Sequence, residues 1–205
     1  MDIAGRNALV TGGATRVGKA LTLALANAGA DVFVHYNSSA GPAQETAAAV
    51  EDLGSRAVIG AANLSDPAVA GKLIADATDA LGPISILINS ASGFPTDTLA
   101  DATLDGFHAA LDLTLTSPVF LTQAFAAALG DANNDGAVVN ITDVKTHRPY
   151  KDHFSYVIAK GGIDTFTRAA ARFLAPRIRV NAVALGVILP PPGEDDFYAE
   201  QLASK

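Results

Sequence analysis

The sequence predicts an α/β protein with a doubly wound parallel sheet. Short apolar runs alternate with longer alanine- and leucine-rich stretches of helical period, a pattern typical of repeated strand–helix units. The helices of such units cover both faces of the sheet. With 205 residues, 49% of them apolar and 17% charged, the chain can bury one large core but is too short for two typical domains. We therefore expect residues 1–205 to form a single domain.

Six strands and five helices are predicted in alternation. The strands are expected at 8–10, 31–35, 57–59, 84–89, 137–141 and 179–184, and the helices at 17–28, 43–53, 67–81, 104–129 and 154–174. Asp66 and Pro67 indicate the start of the third helix, whereas Gly29 and Gly54 indicate the ends of the first two. Residues 185–196 follow the last strand and are rich in glycine, proline and acidic residues. Because ligands of such sheets bind at the carboxyl ends of the strands, we expect this segment to be a substrate-covering loop.

Composition and charge argue against several classes of function. The formal net charge of −7 works against sequence-independent binding of nucleic acid, whose phosphates favour a basic face. The chain has no cysteine, and its four histidines lack the spacing of a zinc-protease motif, so we expect no disulfide and no metal site. The first residues lack the charged and apolar regions of a signal peptide, and the apolar runs are far shorter than the ~20 residues that span a bilayer. The expectation is a soluble, cytoplasmic protein without nucleic-acid or membrane partners.

A glycine-containing turn follows the first predicted strand. Residues 11–18 read TGGATRVG and lead into an apolar helix. Gly12 would let the chain turn sharply, Gly18 would let helix and strand pack closely, and the free N–H groups of the first helical turn could hold a pyrophosphate. Arg16 stands where a second glycine is more usual, and its guanidinium would lie near the phosphates or the nicotinamide of a dinucleotide. A plain glycine turn and a surface arginine are the alternative interpretations. The predicted cofactor contacts are Gly12, Thr15, Arg16, Val17 and Gly18.

The end of the second predicted strand indicates which dinucleotide binds. Sites that prefer NAD usually have an acidic residue here, which binds the ribose 2′-hydroxyl and would repel a 2′-phosphate. This sequence has no acidic residue at that point and offers hydrogen-bond donors instead. It therefore predicts NADP(H), with contacts from His35, Tyr36, Asn37, Ser38 and Ser39.

Tyr156 is the only one of the four tyrosines that has a lysine, Lys160, four residues later. This spacing places both side chains on one face of a helix, although such a pair also arises by chance. A tyrosine with a pKa near 10 is a proton donor at neutral pH, and a cation within ~4–6 Å can lower that pKa by about 1–3. The pair suits a reduction in which Tyr156 delivers a proton while a nicotinamide delivers hydride.

Four segments in order resemble the motifs of the short-chain dehydrogenase/reductase family: the turn at 11–18, NSAS at 89–92, Tyr156 with Lys160, and RVNAVA at 179–184. The resemblance covers nearly the whole chain and implies a Rossmann-type sheet with strand order 3-2-1-4-5-6. It also implies that Tyr156 is the general acid/base and that Lys160 additionally binds the nicotinamide ribose. By position, the family's further cofactor contacts correspond to Asn63, Leu64, Asn89, Ala91, Ser92, Gly186 and Ile188.

Asp143 stands thirteen residues before the tyrosine, where most of the family has a serine. A serine hydroxyl can donate a hydrogen bond to a carbonyl oxygen, whereas an ionised aspartate only accepts. An acceptor beside Tyr156 would raise the tyrosine's pKa and help to relay protons, which suits C=N rather than C=O reduction.

Together with Arg16 and SGFP at 92–95, Asp143 resembles the pteridine reductase branch of the family. In that branch the counterpart of Phe94 stacks a flat pterin against the nicotinamide, as suits an aromatic face. The counterparts of the other residues contact cofactor or substrate, so the predicted substrate contacts are Arg16, Ser92, Phe94, Asp143 and Tyr156. A loop anchor that packs on the core is the alternative interpretation of Phe94.

Three departures from the family pattern motivate alternatives. Thr114 replaces an asparagine that supports a water-mediated proton relay in the family, and Leu185 replaces the proline before Gly186. Family members also continue past the equivalent of Lys205, so the resemblance implies that the C-terminal strand is missing here. Similar proteins pair the long helices that correspond to 104–129 and 154–174, which implies a homodimer or homotetramer.

The leading hypothesis is an NADPH-dependent reductase of a pterin- or dihydrofolate-like C=N bond, with Tyr156 as proton donor, Asp143 as its relay partner and Phe94 as stacking surface. A general carbonyl or 3-oxoacyl thioester reductase on the same scaffold is the alternative enzyme. Thr114 and the C-terminal departure leave a third alternative, a catalytically silent NADP-binding protein.

Overall fold

The computed structural model describes residues 1–130, 135–186, 188 and 189, and its six strands form one parallel sheet. The strands are β1 (Asn7–Val10), β2 (Asp31–Tyr36), β3 (Ala57–Ala61), β4 (Ile84–Asn89), β5 (Gly136–Asp143) and β6 (Ile178–Leu185). The α-helices are α1 (Arg16–Asn27), α2 (Ala40–Asp52), α3 (Ala70–Leu81), α4 (Leu104–Leu111), α5 (Ser117–Ala128) and α6 (Phe154–Leu174). The strand order β3-β2-β1-β4-β5-β6 confirms the predicted doubly wound, Rossmann-type fold.

Alternate residues of the central strands pack into two cores, one on each face of the sheet. Phe33 of β2 lies in one core with Ile74 of α3 and Phe125 of α5. Its neighbours along β2 lie in the other core with Ala26 of α1 and Val50 of α2. Helices therefore cover both faces, which explains why the strands read as continuous apolar runs in the sequence.

The segment predicted as one helix, 104–129, is interrupted by a turn of π-helix at Asp112–Thr116. Pro118 explains the interruption, because proline has no N–H to donate to the carbonyl of Thr114 and its ring would clash with that carbonyl in a regular α-helix. The prediction of a single α-helix is therefore wrong at this point. Turns of this kind are frequent at functional sites, and this one contains the buried Thr114.

The carboxyl ends of β1, β4 and β5 meet at one edge of the sheet, where the strand order reverses. The chain runs outwards from β1 to β3 and then returns to β4 on the other side of β1, which creates a crevice at this edge. Asn89 ends β4 and Asp143 ends β5, so both residues lie at the crevice. The predicted substrate loop at 185–196 lies largely outside the described residues. None of the helices that the structure describes has the length and apolarity that a membrane crossing needs.

Gly18 determines how closely α1 packs on the turn after β1. A Cβ atom at this position would lie 1.9 Å from the carbonyl oxygen of Gly12, far inside van der Waals contact. Gly12 has a φ of 64°, a left-handed conformation that suits a residue without a side chain. The two glycines therefore have the roles that the sequence predicts, the sharp turn and the close helix packing.

We expect Gly18→Ala to lower the free energy of unfolding by about 1–3 kcal/mol, the usual range for overpacking, because backbone atoms rather than a flexible side chain must move. Gly71→Ala is the matched control, since its added methyl group would meet no atom within 4 Å in the exposed first turn of α3. Urea denaturation of both variants measures the difference. Equal stability of the two variants would contradict the packing role of Gly18.

Candidate active site

Tyr156 and Lys160 lie one turn apart on α6, and both bind to β5. The Tyr156 hydroxyl donates a hydrogen bond to Oδ2 of Asp143 over 2.8 Å, and Nζ of Lys160 donates to the carbonyl oxygen of Ile141 over 2.7 Å. Nζ of Lys160 is 5.6 Å from the centre of the Tyr156 ring. Both side chains are buried. The end of β5 therefore holds in place the two residues that their four-residue spacing puts on one face of the helix.

The surroundings of the pair shift both pKa values. Burial and the hydrogen bond to Asp143 raise the pKa of Tyr156 well above its ordinary value. Burial lowers the pKa of Lys160 to about 8, against the opposing effect of the carboxylates of Asp143 and Asp164. The lowering of the tyrosine's pKa that a nearby cation can cause is therefore outweighed here by burial and by the acceptor at Asp143. Tyr156 is a protonated donor at neutral pH.

Asp143 is oriented by hydrogen bonds to both of its carboxylate oxygens. Oδ1 accepts from the backbone N–H of Lys145 over 2.8 Å, while Oδ2 accepts from Tyr156. The side chain thereby caps a short 3₁₀ turn, Val144–Thr146. An ionised carboxylate has no hydrogen to donate. This position can accept from an N–H group of a substrate but cannot donate to a carbonyl oxygen.

Aromatic rings surround Phe94 next to Tyr156. The Phe94 ring stacks on His153 with ring centres 3.7 Å apart and an angle of 25°, and it meets Tyr156 and Tyr150 nearly at right angles at 4.8 Å and 5.6 Å. Nδ1 of His153 lies 2.7 Å from the carbonyl oxygen of Pro95. Phe94 is 54% exposed, so it is not an anchor in the core. The sequence predicts a role for Phe94 but not for His153 or Tyr150, which belong to no local motif.

Asp97 ties the segment that carries Phe94 to the start of α6. Its Oδ1 accepts from the backbone N–H of Ser155 over 3.1 Å, and its Oδ2 accepts from the Ser155 hydroxyl. The Asp97 carbonyl also accepts from the backbone N–H of Phe154 over 3.1 Å. Asp97 thus satisfies free N–H groups of the helix from 58 residues away in the chain. The sequence does not predict this contact, because capping patterns are local.

The turn after β1 has the features that a pyrophosphate needs. Thr15 precedes α1 without capping it through its side chain, and the first turn of α1 contains no acidic residue. Arg16 has a φ of 49°, a left-handed conformation that is costly for a residue with a side chain, which explains why glycine is more usual here. Such strain is concentrated at functional sites. A Cβ atom at Gly12 would lie 3.1 Å from Cα of Ala91, so glycine keeps this cradle open. These residues fit the phosphates of a dinucleotide.

His35 lies beneath this turn rather than on its surface. Its Nδ1 accepts from the backbone N–H of Gly12 over 3.0 Å, and its Nε2 lies 3.0 Å from the carbonyl oxygen of Ala62. Its side chain is only 2% exposed. Both ring nitrogens are bound within the protein, so the His35 side chain is not available to a cofactor, and a cofactor contact at this position stays a prediction.

Residues 37–39 lie at the surface after β2. Asn37 and Ser38 are exposed, and Tyr36 and Ser39 are half-buried. Ser39 precedes α2 without capping it through its hydroxyl, and the first turn of α2 has no acidic residue. The NADP(H) prediction depends on the absence of a carboxylate here, and neither residues 36–39 nor the first turn of α2 contains an acidic side chain.

The further cofactor contacts that the family resemblance implies differ in burial. Asn63 is exposed. The side chain of Leu64 is buried among core residues, so the predicted contact from this position would come from its backbone. Nδ2 of Asn89 donates to Oδ1 of Asn140 over 2.8 Å, and Nδ2 of Asn140 donates to Thr167 of α6 over 2.9 Å. This chain of amides, which no motif in the sequence predicts, connects β4, β5 and α6 beneath the crevice.

The remaining predicted contacts lie around the same edge of the sheet. The hydroxyl oxygens of Ser92 and Thr114 are 3.4 Å apart, so the π-helical turn meets the segment after β4. Val17 is half-buried in the first turn of α1, and Gly186 and Ile188 are exposed after β6. Within the part of the chain that the structure describes, no cluster of histidine and acidic side chains could hold a metal ion.

Solved structures similar to this chain include NADP complexes. FolM alternative dihydrofolate reductase 1 from Brucella canis, complexed with NADP, is 36% identical with a TM-score of 0.90, and the match covers 100% of this chain and 81% of that chain. A short chain dehydrogenase from Burkholderia cenocepacia in complex with NADP is 32% identical with a TM-score of 0.88, over 100% of this chain and 83% of that chain.

Similarity in sequence to known proteins identifies the family. The 3-oxoacyl-(acyl-carrier-protein) reductase of Synechocystis is 36% identical over 183 residues, which are 88% of this chain and 73% of that protein. The family model for short chain dehydrogenases matches residues 6–199. Because this match spans nearly all of the sequence and includes the glycine turn, Tyr156 and Lys160, the chain belongs to the short-chain dehydrogenase family.

Proposed function

We propose that the chain is an NADPH-dependent oxidoreductase that reduces a C=N bond in a pterin- or dihydrofolate-like heterocycle. The hydrogen bond from Tyr156 to Asp143 carries the proposal, because it puts an acceptor beside the proton donor where carbonyl reductases of the family have a hydroxyl. The exposed ring of Phe94 beside Tyr156 supports a flat substrate. The 36% identity to FolM alternative dihydrofolate reductase 1 of Brucella canis supports the same substrate class.

NADP(H) is the proposed cofactor, and it supplies the hydride when it is bound. The first turn of α1 would hold the pyrophosphate, with Arg16 beside it. Asn37, Ser38 and Ser39 would donate hydrogen bonds to the 2′-phosphate, which a carboxylate at this point would repel. The NADP in the complexes of similar structures supports this choice.

Tyr156 is the proposed proton donor to the ring nitrogen of the substrate. Its raised pKa keeps it protonated at neutral pH, and the Lys160 cation is near enough to stabilise the tyrosinate that remains after transfer. After the transfer, the Asp143 carboxylate would take up a proton from solvent and donate it to the tyrosinate, which restores the hydrogen bond that they share. Ionised Asp143 would also accept from an N–H group of the heterocycle, whereas a carbonyl oxygen would offer it only lone pairs.

Phe94 is the proposed surface on which the heterocycle stacks. His153 supports the ring on one side, and more than half of the Phe94 surface stays exposed. The hydrogen bonds of Asp97 to the start of α6 hold this segment in a fixed position relative to Tyr156. The stacking surface and the proton donor would therefore act on the same flat ring.

A carbonyl or 3-oxoacyl thioester reductase is the second candidate function. The relative from Synechocystis, 36% identical to this chain, supports it. The carboxylate of Asp143 argues against it, because the site would lack the hydroxyl that donates to a carbonyl oxygen.

Two broader expectations stay predictions within this proposal: a cytoplasmic location and assembly into a homodimer or homotetramer. The exposed side chains of Phe120 on α5 and Ile158 on α6 are suited to such an assembly.

A panel of substrates tests the proposed function. We expect NADPH oxidation with dihydrobiopterin or dihydrofolate, and little with simple ketones or acetoacetyl thioesters. Tyr156→Phe should lower kcat with the dihydropterin by about 10²–10⁴-fold, the usual contribution of a general acid, without loss of NADPH binding. Turnover of ketones or thioesters alone would contradict the proposal, and NADPH binding without oxidation by any substrate would favour a catalytically silent protein.

The stacking role of Phe94 is tested by Phe94→Leu. We expect KM for the dihydropterin to rise by about two- to tenfold, as follows from ~0.5–1.5 kcal/mol for a lost aromatic contact, while the affinity for NADPH is unchanged. Phe173→Leu is the matched control, because Phe173 is exposed at the other end of α6. An equal effect of the two substitutions on KM would argue against stacking at Phe94.

A further inference from the structure

His35 connects three segments that surround the candidate phosphate site. Its Nδ1 is 3.0 Å from the backbone nitrogen of Gly12 in the turn after β1, and its Nε2 is 3.0 Å from the carbonyl oxygen of Ala62, just after β3. Its own carbonyl accepts from the backbone N–H of Gly13 over 2.9 Å. The side chain and backbone of one residue at the end of β2 therefore join the turn to β3.

The partners of the ring determine where its proton lies. The N–H of Gly12 can only donate, so Nδ1 must present its lone pair. The carbonyl of Ala62 can only accept, so Nε2 must carry the hydrogen. Only the neutral imidazole protonated on Nε2 satisfies both contacts. A second proton on Nδ1 would place two hydrogens against each other inside a site that water does not reach.

We propose that neutral His35 holds the turn after β1 in the shape that binds NADP(H), and that protonation of His35 releases the turn and weakens cofactor binding. This inference rests on the proposed function, since NADP(H) is its ligand. His35 is a positioning residue: its ring acts through the backbone of Gly12 and does not touch the cofactor itself. The N–H of Gly12 is bound to the ring and is unavailable to the pyrophosphate.

Among the residues that the structure describes, the elements around His35 carry few charged groups. The turn at 11–15, strand β1 and residues 57–63 contain no ionisable side chain, and Tyr36 is the next residue along β2. Arg16 and Lys19 follow the turn on α1, and Lys72, Asp76 and Asp79 lie at exposed positions of α3, where Lys72 pairs with Asp76.

The direction of the pH effect follows from these surroundings. Burial lowers the pKa of His35 below its ordinary value near 6.5, and the hydrogen bond to Ala62 opposes this only in part. The neutral form is therefore fully present above pH 6.5 and is lost as the pH falls through the lowered pKa. Acidification should weaken binding, and the effect should depend on His35.

The test measures the dissociation constant of NADPH at pH 8 and pH 5 for the wild-type chain, His35→Asn and His35→Leu. Asparagine can still accept from Gly12 but does not titrate, whereas leucine leaves that N–H without a partner. At pH 8 we expect His35→Asn to bind within about threefold of wild type and His35→Leu about tenfold more weakly. Between pH 8 and pH 5 the wild-type constant should rise by a larger factor than that of His35→Asn, because only the wild-type ring takes up a proton. Protonation of the cofactor's own 2′-phosphate affects all variants alike.

Two controls separate the effect of the His35 ring from other effects of pH. His108→Asn, an exposed histidine on α4, should show the pH dependence of the wild type. The imidazole signals that are lost in His35→Asn should have, in the wild type at pH 8, the nitrogen chemical shifts of a neutral ring with its proton on Nε2. Equal pH dependence of wild type and His35→Asn, wild-type affinity of His35→Leu at pH 8, or a proton on Nδ1 would overturn the inference. Failure of the wild type to bind NADPH at any pH would overturn the proposed function with it, whereas tight binding that is insensitive to His35 would overturn this inference alone.

Discussion

The hydrogen bond between the Tyr156 hydroxyl and the Asp143 carboxylate limits what this site can do. Burial and this hydrogen bond together raise the pKa of Tyr156 and keep the tyrosine protonated, and the carboxylate places an acceptor where a ketone oxygen would need a donor. The two residues come from different elements. The backbone N–H of Lys145 orients Asp143 at the end of β5, and the hydrogen bond from Lys160 to Ile141 holds α6, which carries Tyr156. The chemistry of the site thus depends on how α6 packs against the end of β5.

Polar contacts hold α6 in that position from two sides. Asp97 satisfies N–H groups at the start of the helix and fixes the segment that carries Phe94. Further along the helix, Thr167 accepts from Asn140, which in turn accepts from Asn89. Buried hydrogen bonds of this kind are costly to break, so they define one arrangement of strand and helix. The same contacts that stabilise the fold therefore set the distance between Phe94 and Tyr156.

Much of the fold could be predicted because its signals are local. The apolar runs, the glycines at 12 and 18, and the four-residue spacing of Tyr156 and Lys160 each depend only on neighbouring residues. The π-helical turn was missed although Pro118 is a local signal, because the effect of proline on the preceding turn depends on how the chain then packs. Asp97 could not be found, since it caps a helix that begins 57 residues later. The burial of His35 depends on the approach of β3, which no spacing in the sequence reveals.

The substrate class is the central claim, and exchanging the acceptor for a donor tests it most directly. Asp143→Ser restores the hydroxyl of carbonyl-reducing relatives while Tyr156 and Lys160 are kept. The decisive quantity is the ratio of kcat/KM for dihydrobiopterin to kcat/KM for a ketone, with NADPH saturating. We predict that the substitution lowers this ratio by at least about tenfold, as expected when a buried polar partner is mismatched to the substrate. A ratio that is unchanged or higher in Asp143→Ser would contradict the assignment of Asp143 as the residue that selects C=N over C=O.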